Sequence, residues 1–325
     1  MKYIISHHHN PYENLALEEV LFRESKEPLL YLWQNDHTIV VGKNQNTFEE
    51  INAEEVAKRK ISVVRRETGG GAVYHDLGNL NFSLIVTIKE NEIYEYASFL
   101  TPVIRALSSF GVHASLQGRN DLLVDGYKIS GNAQIISGNR VLHHGTILVN
   151  SDLSVLSKVL NVSPSKLKSK GIKSLQSRVA NISSLAHTTI PIDLLEQKII
   201  EECCGAHPEA LSLPEGLREK ITRLAHDKYA SYDWNYGSSP KSQFVNEKKF
   251  ACGTIKVLLD IEKGLICSCQ FYGDFLDTRD IQEIAQALVG TPYQQHAVVA
   301  TLEQLHFDRY LKGITQSECI SLFFS

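Results

Sequence analysis

The stretch RRETGGGAVYHDLGN, Arg65 to Asn79, decides how this chain folds and where its chemistry lies. Three consecutive glycines follow an apolar run, Ile61 to Val64, and lead into a second, Ala72 to Tyr74. Glycines between two strands let the backbone approach a ligand closely and leave its N–H groups open to an anion. Arg65 and Arg66 stand just upstream, where a guanidinium holds phosphate or carboxylate through paired hydrogen bonds. Alone, GGG would be a glycine-rich hairpin beside two solvated arginines; its neighbours decide between the two readings.

Upstream, NLALEEVLFRES (Asn14–Ser25) sets apolar residues among glutamates at helical spacing. YLWQNDHTIVVG (Tyr31–Gly42) reads as two strands around an Asn35–Asp36 turn. Phe48 to Lys60 carries acids early and bases late, matching a helix dipole. Downstream, Asn81–Ile88 is a strand and Ile93–Phe110 a helix closed by Gly111. Asp121–Ser130 is a hairpin turned at Asp125–Gly126, and Val141–Asn150 a further strand. Ser165–Arg178 is a basic loop, and helical spacing runs from Pro191 to Lys228.

The aromatic, Ser-, Gly- and Pro-rich stretch Ser231–Gln243 marks a domain boundary. Beyond it, Lys249–Asp274 reads as a meander turned at Gly264 and Gly273, followed by a helix over Thr278–Leu288 and a final helix–loop–helix. The expected fold is a two-domain α/β (α+β) protein. Residues 1–240 form the large domain, a mixed, twisted sheet flanked by helices, and residues 247–325 a small α+β domain able to swing against it.

Composition narrows the function. The 325 residues are 43% hydrophobic and 22% charged, as in ordinary globular proteins. A net charge of −4 supplies no field for nucleic acid, and the apolar runs are strand-sized, too short for a bilayer. The His7–His9 tract interrupts any signal-peptide pattern and has no partner ligands at metal-finger spacing, so a cytoplasmic protein is expected. All six cysteines fall at or after Cys203 without a CxxC pair, so a thiol nucleophile near the GGG run is not expected.

The polar residues of the hairpins complete the picture. Asn120 and Asp121 open one strand, Lys128 lies past its turn, and His143–His144–Gly145–Thr146 lead the next. A lysine can neutralise a carboxylate and an α-phosphate together, a carboxylate such as Asp121 can hold Mg²⁺, and backbone N–H groups can cradle phosphate. Singly, each has a plainer role, as a surface lysine, a turn cap or a half-buried strand histidine. Residue chemistry alone thus reaches an anion-binding α/β domain.

Taken in order, RRETGGGAVYHDLGNLNFS, GRNDLLV, DGYKISGNAQ and LHHGTILVNSDL resemble the signature blocks of the lipoate–protein ligases. NPYENLALEEVLF, YLWQNDHTIVVGKNQN, KGIKSLQSRVANIS and WNYGSSP extend the resemblance, and GTIKVLLDIEKGLI with FYGDF is similar to the family's C-terminal accessory domain. The resemblance implies a reaction in two steps. Mg·ATP activates free lipoate to lipoyl-AMP, and the lipoyl group then passes to one lysine of an apo lipoyl domain, in a 2-oxoacid dehydrogenase E2 subunit or the glycine cleavage H protein.

It further implies that Lys128 is the essential lysine at the carboxylate and phosphate, and that Arg66 contacts ATP. Gly71, Ala72, Val73 and Tyr74 would bind nucleotide through their backbone, with Asn79 at the adenine. Thr68, Gly70 and His75 would line the lipoyl tunnel, and Asp121 would take Mg²⁺. Two departures from the pattern are Glu67, a negative charge beside the arginines, and Gln134–Ile135, where some members carry an arginine. Related lipoyl and octanoyl transferases share GYKISGNAQ and HHGT but work through a cysteine thioester, whose thiol is missing here before Cys203.

Overall fold

The computed structural model describes every residue except 89–94, 119, 162–178, 237–243, 263, 294 and 325. The whole of the basic loop expected at 165–178 therefore lies outside the described residues, as do Arg119 and the start of the helix expected from Ile93.

The largest element is an eight-stranded mixed sheet. Its members are β1 (Lys2–Ile5), β2 (Leu29–Trp33), β6 (Asn79–Thr87), β7 (Ser115–Gln117), β8 (Asp121–Val124), β9 (Tyr127–Ser137), β10 (Arg140–Leu148) and β11 (Glu209–Ala210), in the order β11-β1-β2-β6-β10-β9-β8-β7. The β11, β1 and β2 strands run parallel; the rest of the sheet is antiparallel. Helices Tyr96–Ser108 and Ile192–Cys204 bury Leu100, Val103, Leu107, Leu195 and Ile199 against one face. The expected mixed sheet flanked by helices is what the chain forms.

A second, three-stranded sheet, β4-β3-β5, carries the GGG segment: β3 (Thr38–Val41) runs parallel to β4 (Ser62–Arg65) and antiparallel to β5 (Val73–His75). This qualifies one expectation. The strands on either side of Asn35–Asp36 exist, but β2 and β3 do not pair; the turn hands the chain from one sheet to the other. The expected Phe48–Lys60 helix is also two pieces, Thr47–Glu50 and Ala53–Arg59.

Helix α1 (Pro11–Glu24) starts where Asn10 accepts hydrogen bonds from the N–H groups of Tyr12 and Glu13, with Pro11 in the first turn. It is no surface helix. Every residue from Asn14 to Phe22 is buried, so Asn14, Glu18 and Glu19 are polar groups inside a core and must find partners there.

The C-terminal residues build a separate antiparallel sheet, β12 (Phe244–Phe250), β13 (Gly253–Glu262) and β14 (Leu265–Gly273), with a core of its own around Ile255, Phe271, Phe275, Leu302 and Phe323. The meander is as expected. Its far end rests on the GGG loop: the Gly70 N–H donates to the Phe275 carbonyl (3.0 Å), the Gly273 N–H to that of Asn44, and Lys43 pairs with Asp280 at 3.2 Å. Of the boundary stretch expected over Ser231–Gln243, residues 237–243 lie outside the described residues. Helix Tyr232–Asn235 lies against β4, and Asn235 is buried.

At this contact Asp277 is buried, and that burial pushes its carboxyl up to about 6, against the pull of the Asn44 hydrogen bond and the Lys43 charge. Folded Asp277 holds its proton more tightly than an unfolded aspartate. Its contribution to stability therefore falls as pH rises from about 4 to about 6, and stays low above. Asp277→Asn should leave the melting temperature at pH 3.5 nearly unchanged and raise it at pH 8, which thermal unfolding at the two pH values would check.

Candidate active site

A pocket of about 110 Å³ opens where the two N-terminal sheets meet. Leu15, Trp33, Val40, Val73 and Ala133 give it an apolar wall; Arg66, Asn120, Lys128 and Thr146 give it polar groups. Strand alternation selects which residues face it. On β5, Val73 and His75 line the pocket, while Tyr74 between them is buried with Ile39, Val41 and Ile51. On β10, His144 lines it, while His143 stacks on Phe99 with ring centroids 4.8 Å apart. Burial draws His143 down to about 3, so it is a neutral core histidine.

The two arginines divide. Arg65 is consumed by protein: its Nη1 donates to the carbonyls of Gly42, Lys43 and Gln45 (2.9, 3.1 and 2.7 Å), its Nε to Trp234 O, and its Nη2 to Thr47 Oγ1 and Asn235 O. It is a fastener between β4, the 42–47 loop and helix Tyr232–Asn235, and the anion-holding role expected of it is corrected to a structural one. Arg66 reaches the pocket. Its Nη2 donates to the carbonyls of Gly69 (2.6 Å) and Gly71 (3.0 Å), curling the loop around the guanidinium. Gly70 completes the curl with φ +92°, open only to glycine at low cost, and its carbonyl packs where a side chain on Gly42 would stand. Burial lowers Arg66 to about 10, with the Glu18 charge opposing, so it stays cationic at neutral pH.

Lys128 is aimed by a bulge. Leu122 pairs with Ser130 but Leu123 with Lys128, so β9 carries one extra residue, and such a bulge bends a strand and redirects its side chains. Lys128 Nζ pairs with Asp121 Oδ1 at 2.7 Å and lies over Gly131, where a Cβ would meet it at 2.9 Å. The main-chain bond from Asn132 N to Asn120 O (3.0 Å) and that from Asn120 Nδ2 to Asn132 O (2.5 Å) fasten the two ends of this hairpin.

Of the residues expected at the site, Arg66, Gly70, Gly71, Ala72, Val73, His75 and Lys128 share the one pocket. Asp121 reaches it through Lys128. Thr68 lies buried behind the wall, bonded to Arg66 and His144. Tyr74 faces the other way, and Asn79, fully buried, donates to Asn81 Oδ1 and does not line it. Glu67, beside the arginines in sequence, points away and pairs with Lys228, which also holds Glu19 at 2.7 Å. Ile135 packs into the core beside α1.

His75 has a definite tautomer. Asn14 Nδ2 donates to Asn35 Oδ1, which turns the Asn35 amide towards His75 Nδ1 at 3.3 Å. The ring proton is then on Nε2, a buried donor with no protein partner among the described residues. Burial first, then the Arg66 charge, lowers this histidine to about 3. Sequence reading missed Trp33, Asn81, Asn132 and Glu18. The signal for Glu18 was faint: two adjacent glutamates in a helix with apolar residues on every side.

No cysteine lines the pocket among the described residues. Cys203 ends a distant helix, with burial pushing its thiol up to about 12, and Cys252, Cys269 and Cys319 are buried in the C-terminal core. Thioester chemistry has no nucleophile here.

Residues 10–204 match the family described as lipoyl protein ligase A/B catalytic domain, and residues 239–323 the bacterial lipoate protein ligase C-terminus. The chain belongs to the lipoate–protein ligase family. It is 39% identical over 322 residues to lipoate-protein ligase LplJ of Bacillus subtilis, covering 97% of both chains. Among solved structures it resembles P. falciparum LipL1 in complex with lipoate, with a TM-score of 0.80 and 28% identity over 93% of this chain and 94% of that one. It also resembles lipoate-protein ligase A bound with ATP, with a TM-score of 0.62 and 27% identity over 73% of this chain and 99% of that one. The family's activity is the ATP-dependent joining of lipoate to lipoyl domains, and this ligase is an enzyme of that class. No helix among the described residues is long and apolar enough to cross a membrane.

The Arg65 assignment carries its own test. Arg65→Lys replaces a planar fork by a point charge with three donors and strands several buried carbonyls. It should cost the ligase about 3 kcal/mol by urea unfolding, with Arg66 and Lys128 untouched.

Proposed function

We propose that Lys128 serves both half-reactions, bridging the lipoate carboxylate and the α-phosphate of ATP in the first and holding the adenylate phosphate in the second. The observation that carries this reading is that Lys128 and the curled Arg66–Gly71 loop open on the same pocket, whose apolar wall suits an acyl chain. In the first step a carboxylate oxygen attacks the α-phosphorus and the bond to pyrophosphate breaks. Two anions must approach, and Lys128 with Arg66 offsets their repulsion in a partly buried site, where charge stabilisation is strong. In the second step the acceptor lysine amine attacks the acyl carbon, the C–O bond breaks, AMP leaves, and the amine loses a proton. The mixed anhydride is already reactive, so orientation and exclusion of water are the main tasks.

The Gly71–Val73 backbone would lie along the nucleotide, with Tyr74 supplying main-chain contacts only. Asn79 would act at the adenine through Asn81, which it supports. Gly70 and His75 would border the lipoyl end, with Thr68 behind them and the His75 Nε2–H as a donor without a protein partner among the described residues. Mg²⁺ arrives with ATP. An ion already bound by triphosphate oxygens takes only one or two protein carboxylates, and Asp121 fits as that ligand. Its present pairing with Lys128 would then be exchanged for the metal, leaving the lysine to the substrates. The reading includes a division near residues 240–247 into catalytic and accessory domains, a cytoplasmic setting, and acceptors among 2-oxoacid dehydrogenase E2 subunits and the glycine cleavage H protein.

Incubation with lipoate, Mg·ATP and an apo lipoyl domain should add one lipoyl group to the acceptor by mass spectrometry, only when ATP is present. Formation of neither adenylate nor lipoylated acceptor would overturn the reading. Lys128→Ala should lower lipoate-dependent pyrophosphate exchange by at least about 10²-fold. Its melting temperature should fall only modestly, because the Lys128 side chain is 27% exposed and fills no core, although Asp121 loses this partner. Full exchange in that variant would remove Lys128 from the mechanism.

A further inference from the structure

A continuous chain of hydrogen bonds runs behind the pocket from its apolar wall to Arg66. Trp33 Nε1 donates to Ser83 Oγ (3.0 Å), and Ser83 Oγ donates to Glu18 Oε1 (2.5 Å). His144 Nδ1 meets the same carboxylate oxygen at 2.9 Å, while its Nε2 meets Thr68 Oγ1 at 2.7 Å. Arg66 Nε donates to Thr68 Oγ1 at 3.0 Å. With Glu18 ionised and the His144 ring neutral, one assignment of protons satisfies every link. Arg66 cannot accept, so the Thr68 oxygen receives its N–H and the hydroxyl proton turns to His144 Nε2. That nitrogen is then a bare acceptor, the ring proton sits on Nδ1, and it is donated to ionised Glu18.

Each member comes from a different part of the fold: Trp33 from β2, Ser83 from β6, Glu18 from α1, His144 from β10, and Thr68 and Arg66 from the segment after β4. Glu18 and Thr68 are buried, and the His144 side chain is only 10% exposed. A buried carboxylate is costly unless its charge and lone pairs are answered, and here the answer lies at the far end of the chain, in the guanidinium that curls the glycine loop.

We infer that Glu18 is a positioning residue for adenylation, fixing the His144 tautomer and, through Thr68, the rotation of the Arg66 guanidinium towards the nucleotide. The inference rests on Arg66 acting at ATP. Glu18 itself touches neither substrate in this role; it sets the direction of the Thr68 hydroxyl and so leaves a Thr68 lone pair facing Arg66 Nε, one of the contacts, with Val40 O at Nη1 and the Gly69 and Gly71 carbonyls at Nη2, that set the rotation of the guanidinium. The acyl wall of the pocket does not depend on that rotation.

The test separates the two ideas by a double-mutant cycle read on pyrophosphate exchange, with lipoate binding measured by calorimetry in the absence of ATP. Glu18→Ala should raise the KM for ATP about 10- to 100-fold, and lipoate affinity should change less than threefold. Glu18→Gln keeps an oxygen for Ser83 and His144, and should recover most of the loss. Thr68→Val cuts the chain without altering α1, and should reproduce the Glu18→Ala effect even if that variant folds poorly. In an Arg66→Ala background, Glu18→Ala should have no further effect on the KM for ATP, because non-additivity is the mark of residues acting through one another. Equal effects of Glu18→Ala with and without Arg66 would overturn the inference and leave the site reading intact, as would an unchanged KM in Thr68→Val. An unchanged KM in Arg66→Ala alone would overturn both.

Discussion

Two adjacent carboxylates inside a helix are the constraint around which the catalytic part of this ligase is arranged. Glu18 and Glu19 sit mid-way along α1 with almost none of their surface open to solvent, and a buried charge survives only with partners in good geometry. Glu18 is answered by Ser83 and His144, and Glu19 by Lys228, Arg23 and the Tyr229 hydroxyl. Burial pushes the Glu19 carboxyl up, but the Lys228, Tyr229 and Arg23 contacts together outweigh it, and the net position is below the ordinary range. Both partner sets end at the same place. The Glu18 chain arrives at Arg66 and Thr68, and the Lys228 ammonium reaches on to Glu67. The segment before the glycines is held from two sides by one turn of one helix, which lets a loop without regular structure keep a defined shape.

This explains how much of the molecule can be read from the chain. The Asp125–Gly126 turn, the GGG run and the apolar strands are local signals, and the structure follows them; Asp125 and Gly126 take the positive φ values, +50° and +83°, that such a hairpin requires. Lys128 stands out because a hairpin turn fixes its place. Glu18 was not legible, since a glutamate in a helix is read as solvated unless its neighbours on all faces are known to be buried. The Asn35–Asp36 turn was legible as a turn, but turn chemistry does not say whether the next strand rejoins its predecessor or enters another sheet. Arg65 and Arg66 are indistinguishable in sequence. Their opposite fates follow from β4 ending at Arg65, so that one side chain faces the 42–47 loop and the next the pocket.

The histidine pair on β10 makes the same argument. His143 and His144 are adjacent, equally polar and both buried, yet a strand sends them to opposite faces. His143 enters an aromatic stack, where burial keeps it neutral; His144 enters a chain of hydrogen bonds that dictates which of its nitrogens carries the proton. Sequence supplies the residue type, whereas the partner supplies the protonation state, and it is the protonation state that does chemistry.

The contact between the glycine loop and the C-terminal unit adds a constraint of a different kind. The Gly70 N–H is donated to the carbonyl of Phe275, and a side chain on Gly69 would collide with that carbonyl and with Asp277. One N–H gives its hydrogen to one strong acceptor at a time, so a ligand oxygen at Gly70 and the Phe275 carbonyl are alternatives. Asp277 is a poorly solvated carboxylate at neutral pH, which weakens the contact it belongs to, while the Lys43–Asp280 pair, with its carboxylate exposed to water, adds only modestly. A loop held firmly on its α1 side and loosely on its C-terminal side can change its outer partner without losing its shape. Catalysis with preorganised donors requires both conditions.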